Sequence, residues 1–107
     1  MRAMNDATSA LLRAIRGRFE DLSFTIEEVK SRSWASATFI GARHELSFRI
    51  EGDHARTAAD AFLRDLDAAE FRLRGHILAD IALLSDERPD DPSSVTISLE
   101  ALTVEDD

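Results

Sequence analysis

Apolar residues recur along the chain with two periods, and each period indicates a different kind of secondary structure. One helical stripe consists of Leu11, Leu12, Ile15 and Phe19. A second consists of Ala58, Ala59, Phe62, Leu63, Leu66 and Ala69. Because residues three and four apart share one face of a helix, these stripes predict helices over 5–18 and 54–69.

Between the two helices the period falls to two, which is typical of strands with one buried face. Leu22, Phe24 and Ile26 alternate with polar residues, and so do Leu46, Phe48 and Ile50. Residues 22–51 are therefore predicted to form a three-stranded meander. In this version Ser31–Ser33 is a turn, 34–40 is the second strand and 41–44 is a connection. One bent strand over 34–51 with a bulge at Gly41 is an alternative that the sequence leaves open.

The last third of the chain again alternates, which predicts a β-hairpin over 71–104. The first arm runs over 71–84, the proline-containing segment 86–94 forms a loop, and the second arm begins at Val95. The fold class is therefore α+β: a two-layer sandwich whose antiparallel sheet of four or five strands carries two helices on one face. The predicted order is α-β-β-β-α-β-β, in one domain over 1–107.

Charge and composition narrow the function classes. The chain has 107 residues, a net charge of −8 and no cysteine, so disulfides, thiolate metal sites and a cysteine nucleophile are excluded. From Asp86 onward there are eight acidic residues and one basic residue, so the acidity is concentrated at the C-terminal end. We expect a cytoplasmic protein that binds neither nucleic acid nor membrane, because basic clusters, a signal segment and long apolar runs are missing.

Two groups of residues on the sheet are candidates for function. An anion or small ligand could bind the Arg/His group, which consists of Arg43, His44, Arg74 and His76 and is predicted to lie on the sheet face turned away from the helices. An interface could form at an apolar end of the sheet face turned away from the helices, made by Leu78, Leu84, Leu102 and Val104. His76 and Asp80 are about 13 Å apart along a regular strand, too far for a catalytic pair. The three histidines lack zinc-ligand spacing, so no metal or cofactor is expected.

Three stretches, SWASATFIGARH, FRLRGHILADIAL and ISLEALTVEDD, resemble short uncharacterised α-proteobacterial proteins over residues 22–107. That resemblance implies a bacterial cytoplasmic origin and supplies no activity or catalytic residue. No nucleophile elbow or phosphate-binding loop is present. The sequence therefore favours a non-enzymatic interaction module that forms a homodimer, through a sheet edge or the apolar end, with a further protein partner also possible. The alternative is a small-ligand or anion binder, which could also be an enzyme, that uses the Arg/His group.

Overall fold

The two helices form where the apolar stripes are densest. The computed structural model describes residues 5–66 and 71–106. Helix α1 spans Asn5–Arg16 and continues into a 3-10 turn at Gly17–Phe19, and helix α2 spans Ala55–Arg64. Both helices begin where the sequence predicts, and the last predicted residues of the second one, 67–69, lie outside the described residues.

Four long strands form one antiparallel sheet. They are β1 (Ser23–Ala35), β2 (Ile40–Glu51), β3 (His76–Glu87) and β4 (Ser94–Glu105), arranged in the order β1-β2-β4-β3. The predicted two-layer α+β class is confirmed, with the order α-β-β-α-β-β. Its core lies between the helices and one sheet face; we call the other face the open face.

Aromatic rings join the helices to the sheet at the centre of the core. Phe48 of β2 is fully buried, and its ring centroid lies 4.8 Å from that of Phe24 in β1 and 5.6 Å from that of Phe19. Phe19 in turn lies 5.0 Å from Phe62 of α2. The remaining fully buried side chains of the core cluster are Leu11, Ile15, Ile50, Ala55, Ala59, Val95, Ile97 and Leu99. Burying these side chains is the main favourable term in folding.

The first half of the chain contains two strands where three were predicted. Ser31–Ser33 continues β1, the turn occupies 36–39, and residues 41–44 lie inside β2. The three-stranded version is therefore wrong. The alternative has the correct number of strands but starts the second one too early and places a bulge at Gly41 that is not observed. A bulge at Glu27 shifts the alternation of β1 by one residue. Beyond it the helix-facing positions hold Val29, Ser31, Ser33 and Ala35, and the small side chains from Ser31 onward do not produce a hydrophobic pattern.

Two bulges also change the second hairpin. Strand β3 begins at His76, five residues after the predicted start, and its pairing with β4 shifts at Ala79 and again at Leu84. Each shift exchanges the faces on which the following side chains lie. The faces that simple alternation predicts for His76 and Leu78 are therefore wrong, whereas those of residues 80–83 are correct.

Candidate functional site

The strand register aligns side chains of the open face into rows that cross all four strands. Trp34 pairs with Gly41, Gly41 pairs with Val104, and Val104 pairs with Ile77. We call these four residues the apolar row. It lies at the end of the sheet next to the 36–39 turn, where Phe39 and Ile40 are also more than half exposed. An apolar stripe that is left uncovered at one end of a sheet is a candidate contact surface.

Gly41 allows Trp34 to lie flat at this end of the sheet. A Cβ atom at Gly41 would collide with the carbonyl oxygen of Thr103 and would lie 2.8 Å from Cζ2 of Trp34. The indole Nε1 of Trp34 is buried and has no hydrogen-bond partner within the described part of the chain. A buried donor without an acceptor is costly.

The bulge at Ala79 delivers Ile77 to the open face. Without the extra residue, Ile77 and Asp80 would point to opposite sides of the sheet. With it, Ile77 lies opposite Val104 and Asp80 lies opposite Leu102, so both face away from the helices. Ile77 remains 52% exposed. The bulge therefore completes the apolar row at its β3 end and places a carboxylate beside it.

Next to the apolar row lies a second row with opposite charges at its ends. This charged row runs across the strands in the order Arg32, Arg43, Leu102 and Asp80. Arg32 and Arg43 are directly opposite each other, an arrangement of like charges that destabilises a sheet. Nη1 of Arg43 lies 3.5 Å from Oε2 of Glu100, so these two side chains form an ion pair. Arg32 and Asp80 have no ion pair among the described residues. A cavity of about 310 Å³ is lined by Arg32, Trp34, Arg43 and Leu102.

On the helix side of the same end, hydroxyl groups from three elements surround a fully buried histidine. His44 Nε2 lies 2.9 Å from Thr103 Oγ1, and His44 Nδ1 lies 2.9 Å from Ser31 Oγ and 3.4 Å from Thr8 Oγ1. We call these four residues the hydroxyl–histidine cluster. The pKa of His44 is lowered, mainly by burial and secondly by the charge of His76. The cluster joins α1, β1, β2 and β4 around a neutral imidazole.

The four residues of the predicted Arg/His group do not come together. Arg43 is exposed on the open face, whereas His44 is buried on the opposite face. Arg74 lies in the turn before β3, and its carbonyl oxygen is 3.1 Å from Nδ1 of His76. His76 starts β3 on the helix side, opposite Glu105. The prediction that His44 and His76 share the open face with Arg43 is wrong, because consecutive strand residues face opposite sides and the bulge inverts β3.

Two of the four predicted interface residues lie on the open face, as expected. They are Leu102, in the charged row, and Val104, in the apolar row. Leu78 is opposite Thr103 and packs against the core, so the prediction that it points away from the helices is wrong. Leu84 is the bulge residue in the C-terminal half of β3 and is 49% exposed, away from the apolar row.

Sequence reasoning missed Trp34, Arg32 and Ile77 as members of this site. Trp34 and Arg32 were separated from it because β1 was predicted to end before Ser31. A hairpin with its turn at 36–39 pairs Trp34 with Gly41. A glycine opposite an aromatic residue is the sequence signal that could have indicated this pairing. Nothing in the sequence marks Ala79 as a bulge, so the position of Ile77 required the structure.

The described residues contain neither a metal-binding cluster nor a membrane-spanning helix. No group of three acidic or histidine side chains in 5–66 and 71–106 is arranged to hold a metal ion. Neither of the helices described has the length and apolarity needed to cross a membrane.

Comparison with known proteins shows the fold and no family. No protein-family model matches the chain, and a search of curated proteins finds no match. Among solved structures, a chain from the virion of a native gene transfer agent particle is similar, with a TM-score of 0.64 and 17% sequence identity. The similarity covers 94% of this chain and 98% of that one. The two chains therefore share the α+β architecture over nearly their whole lengths.

Proposed function

We propose that this protein is a non-enzymatic interaction subunit that forms a homodimer through the apolar row. The observation that carries the proposal is the row itself, which crosses all four strands and ends in the half-exposed Ile77. In the monomer Ile77 is half exposed, and Trp34 and Val104 are partly exposed. Association of two copies removes them from water, and this is the main driving force in most protein–protein contacts.

The similar solved chain supports a role in assembly. It belongs to the virion of a gene transfer agent particle, and its fold matches this chain over 94% of the residues. At 17% identity the match carries no residue-level role. We infer that this protein acts as a structural subunit that contacts other protein chains rather than as a catalyst.

Ile77 allows the interface to be tested without disturbing the core. Full burial of an isoleucine side chain is worth about 1.5–3 kcal/mol, so covering its exposed half contributes about 1 kcal/mol. A symmetric dimer contains two copies of Ile77, so Ile77→Ser weakens it by about 2 kcal/mol, roughly 30-fold in Kd. Leu84→Ser is the matched control, because Leu84 is 49% exposed, close to the 52% of Ile77, and lies outside the apolar row.

Sedimentation equilibrium over micromolar to millimolar concentrations measures both variants against the wild type. The proposal predicts a wild-type mass that rises toward that of a dimer, a Kd that Ile77→Ser raises, and no change for Leu84→Ser. A monomer over the whole range contradicts the proposal. A dimer that Leu84→Ser weakens and Ile77→Ser does not would place the interface elsewhere.

The cavity between Arg32 and Arg43 supports a second candidate function, the binding of a small anion. Two guanidinium groups beside an aromatic ring suit a carboxylate attached to an apolar body. Titration of benzoate while Trp34 fluorescence is recorded tests this candidate, with Arg72→Glu as a control outside the cavity. Saturable quenching that Arg32→Gln abolishes and Arg72→Glu does not would favour it, and an absent response would count against it.

A further inference from the structure

The charged row has a pattern that is complementary to a rotated copy of itself. Read from β1 to β3, it begins with two arginines, passes through Leu102 and ends with Asp80. The apolar row lies alongside it in the same strand order. Because the strand order is β1-β2-β4-β3, a half-turn that exchanges the two sheet edges places β1 over β3 and β2 over β4.

We propose that two copies stack their open faces around a two-fold axis parallel to the strands, with Arg32 of each copy paired with Asp80 of the other. This inference rests on the proposed function, since it specifies how two apolar rows meet. In the apolar row, the same rotation places Trp34 over the second copy's Ile77 and Gly41 over its Val104. Both contacts occur twice, as a two-fold interface requires.

Charge selects this axis over the other simple arrangement. An axis perpendicular to the strands would stack each strand on its own copy, which places Arg32 on Arg32 and Asp80 on Asp80. Like charges in direct contact oppose association, whereas the parallel axis converts them into two opposite-charge pairs. The parallel axis also gives a counter-ion to Arg32 and to Asp80, neither of which has an ion pair within the described residues.

The stacking also relieves a cost that the single chain carries. Arg32 and Arg43 are opposed across β1 and β2, and the second copy's carboxylate lies beside this pair of positive charges. The proposed partner group therefore offsets the repulsion between the two arginines.

The size of the contact sets its strength. The two rows over four strands cover roughly 250 Å² per copy, well below the roughly 800 Å² of a standard stable interface. We therefore expect a weak dimer.

Exchanging the charges of Arg32 and Asp80 tests the proposed stacking. Arg32→Glu removes one partner of each pair and creates repulsion with Asp80, and Asp80→Arg does the same from the other side. Each single variant raises the dimer Kd roughly tenfold, since two exposed pairs are lost at up to about 1 kcal/mol each. The double variant Arg32→Glu/Asp80→Arg restores the wild-type Kd, because the pairs form again with exchanged signs. Arg72→Glu is the control, because it changes the net charge by the same amount as Arg32→Glu at a position before β3. We expect it to leave the dimer Kd unchanged.

The same sedimentation experiments separate failure of this arrangement from failure of the proposed function. Loss in both single variants with recovery in the double variant supports the stacking. If Ile77→Ser weakens the dimer but the charge variants leave it unchanged, or the double variant does not recover, the stacking is wrong and the apolar row is still the interface. If the wild type is a monomer throughout, the proposed function fails and the stacking fails with it.

Discussion

Lowering the pH destabilises this protein through His44, because folding removes the imidazole from water. His44 is fully buried and its two ring nitrogens contact only neutral hydroxyl groups among the described residues. Burial and the nearby charge of His76 lower its pKa below the ordinary value of 6.5. The native state therefore binds a proton less readily than the unfolded state does.

The size of the effect follows from the difference in bound protons. Above its ordinary pKa, His44 is neutral in both states and does not affect the pH dependence of stability. Below that value the unfolded state gains a proton that the native state does not, so the free energy of unfolding falls by up to about 1.4 kcal/mol per pH unit. Between about pH 7.5 and about pH 5.5 the loss from this group is therefore at most about 1.4 kcal/mol. The loss stops where the native state itself becomes protonated.

Urea denaturation at several pH values measures this loss when it is compared with His44→Gln. Glutamine keeps a hydrogen-bonding side chain among the hydroxyls and does not titrate, so the difference between the two proteins isolates His44. All other residues are the same in the two proteins, so a difference that changes with pH reports on His44 and on its interaction with His76. We expect the wild type to be the more stable protein near pH 7.5 and its advantage to shrink steadily as the pH falls.

Parallel stability curves for the two proteins would refute the reasoning. They would mean that His44 titrates in the native state as it does in the unfolded chain, and hence that the imidazole is accessible to water. A difference that grows as the pH falls would be a still stronger contradiction. It would mean that the protonated ring is the favoured native form.

Two further variants test the core and the apolar end, each with a control in the chain. Phe48→Ala removes the fully buried ring at the centre of the core and lowers the free energy of unfolding by about 3–5 kcal/mol. Phe39→Ala, at a position that is 54% exposed, changes it by less than about 0.5 kcal/mol, and equal losses in the two urea titrations would contradict the described core. Gly41→Ala lowers Tm because its methyl group meets Thr103 and Trp34, whereas Gly17→Ala has no atom within 4 Å to meet. Thermal unfolding curves that coincide for these two glycine variants would show that Trp34 does not lie against Gly41.

The sequence predicts the fold well where one strand face is deeply buried. Leu46, Phe48 and Ile50 alternate because every second residue of β2 enters the core, and the same reason holds for Val95, Ile97 and Leu99 of β4. Both are central strands of the sheet. Their hydrophobic period of two therefore survives as a readable signal.

The edge strands give a weaker signal because burial there is partial. Residues 25–33 of β1 are all exposed, so the inner face of this strand does not require large apolar side chains. Ser31 even uses its hydroxyl to reach His44, and such a polar contact looks like a turn residue in a sequence. For this reason the sequence predicts a turn at Ser31–Ser33, inside what is actually β1. That predicted turn separates Arg32 and Trp34 from the rest of the site.

The candidate site depends on two features that local sequence does not encode. A bulge at Ala79 exchanges the faces of Ile77 and Leu78, two aliphatic residues that differ little in propensity. His44 lies beside Arg43 in the sequence but on the other side of the sheet, among hydroxyls from distant elements. Both features come from long-range pairing between strands, which no pattern within one strand reveals.

The single tryptophan provides the most direct test of the central claim, that copies of this chain meet at the apolar row. Trp34 belongs to that row and is the only tryptophan of the chain. Its quenching by acrylamide can be measured along a dilution series in which sedimentation reports the mass. We predict that quenching decreases as the dimer forms, with the same midpoint as the mass. A mass that doubles while Trp34 stays equally accessible, or a mass that never rises above that of the monomer, would contradict the claim.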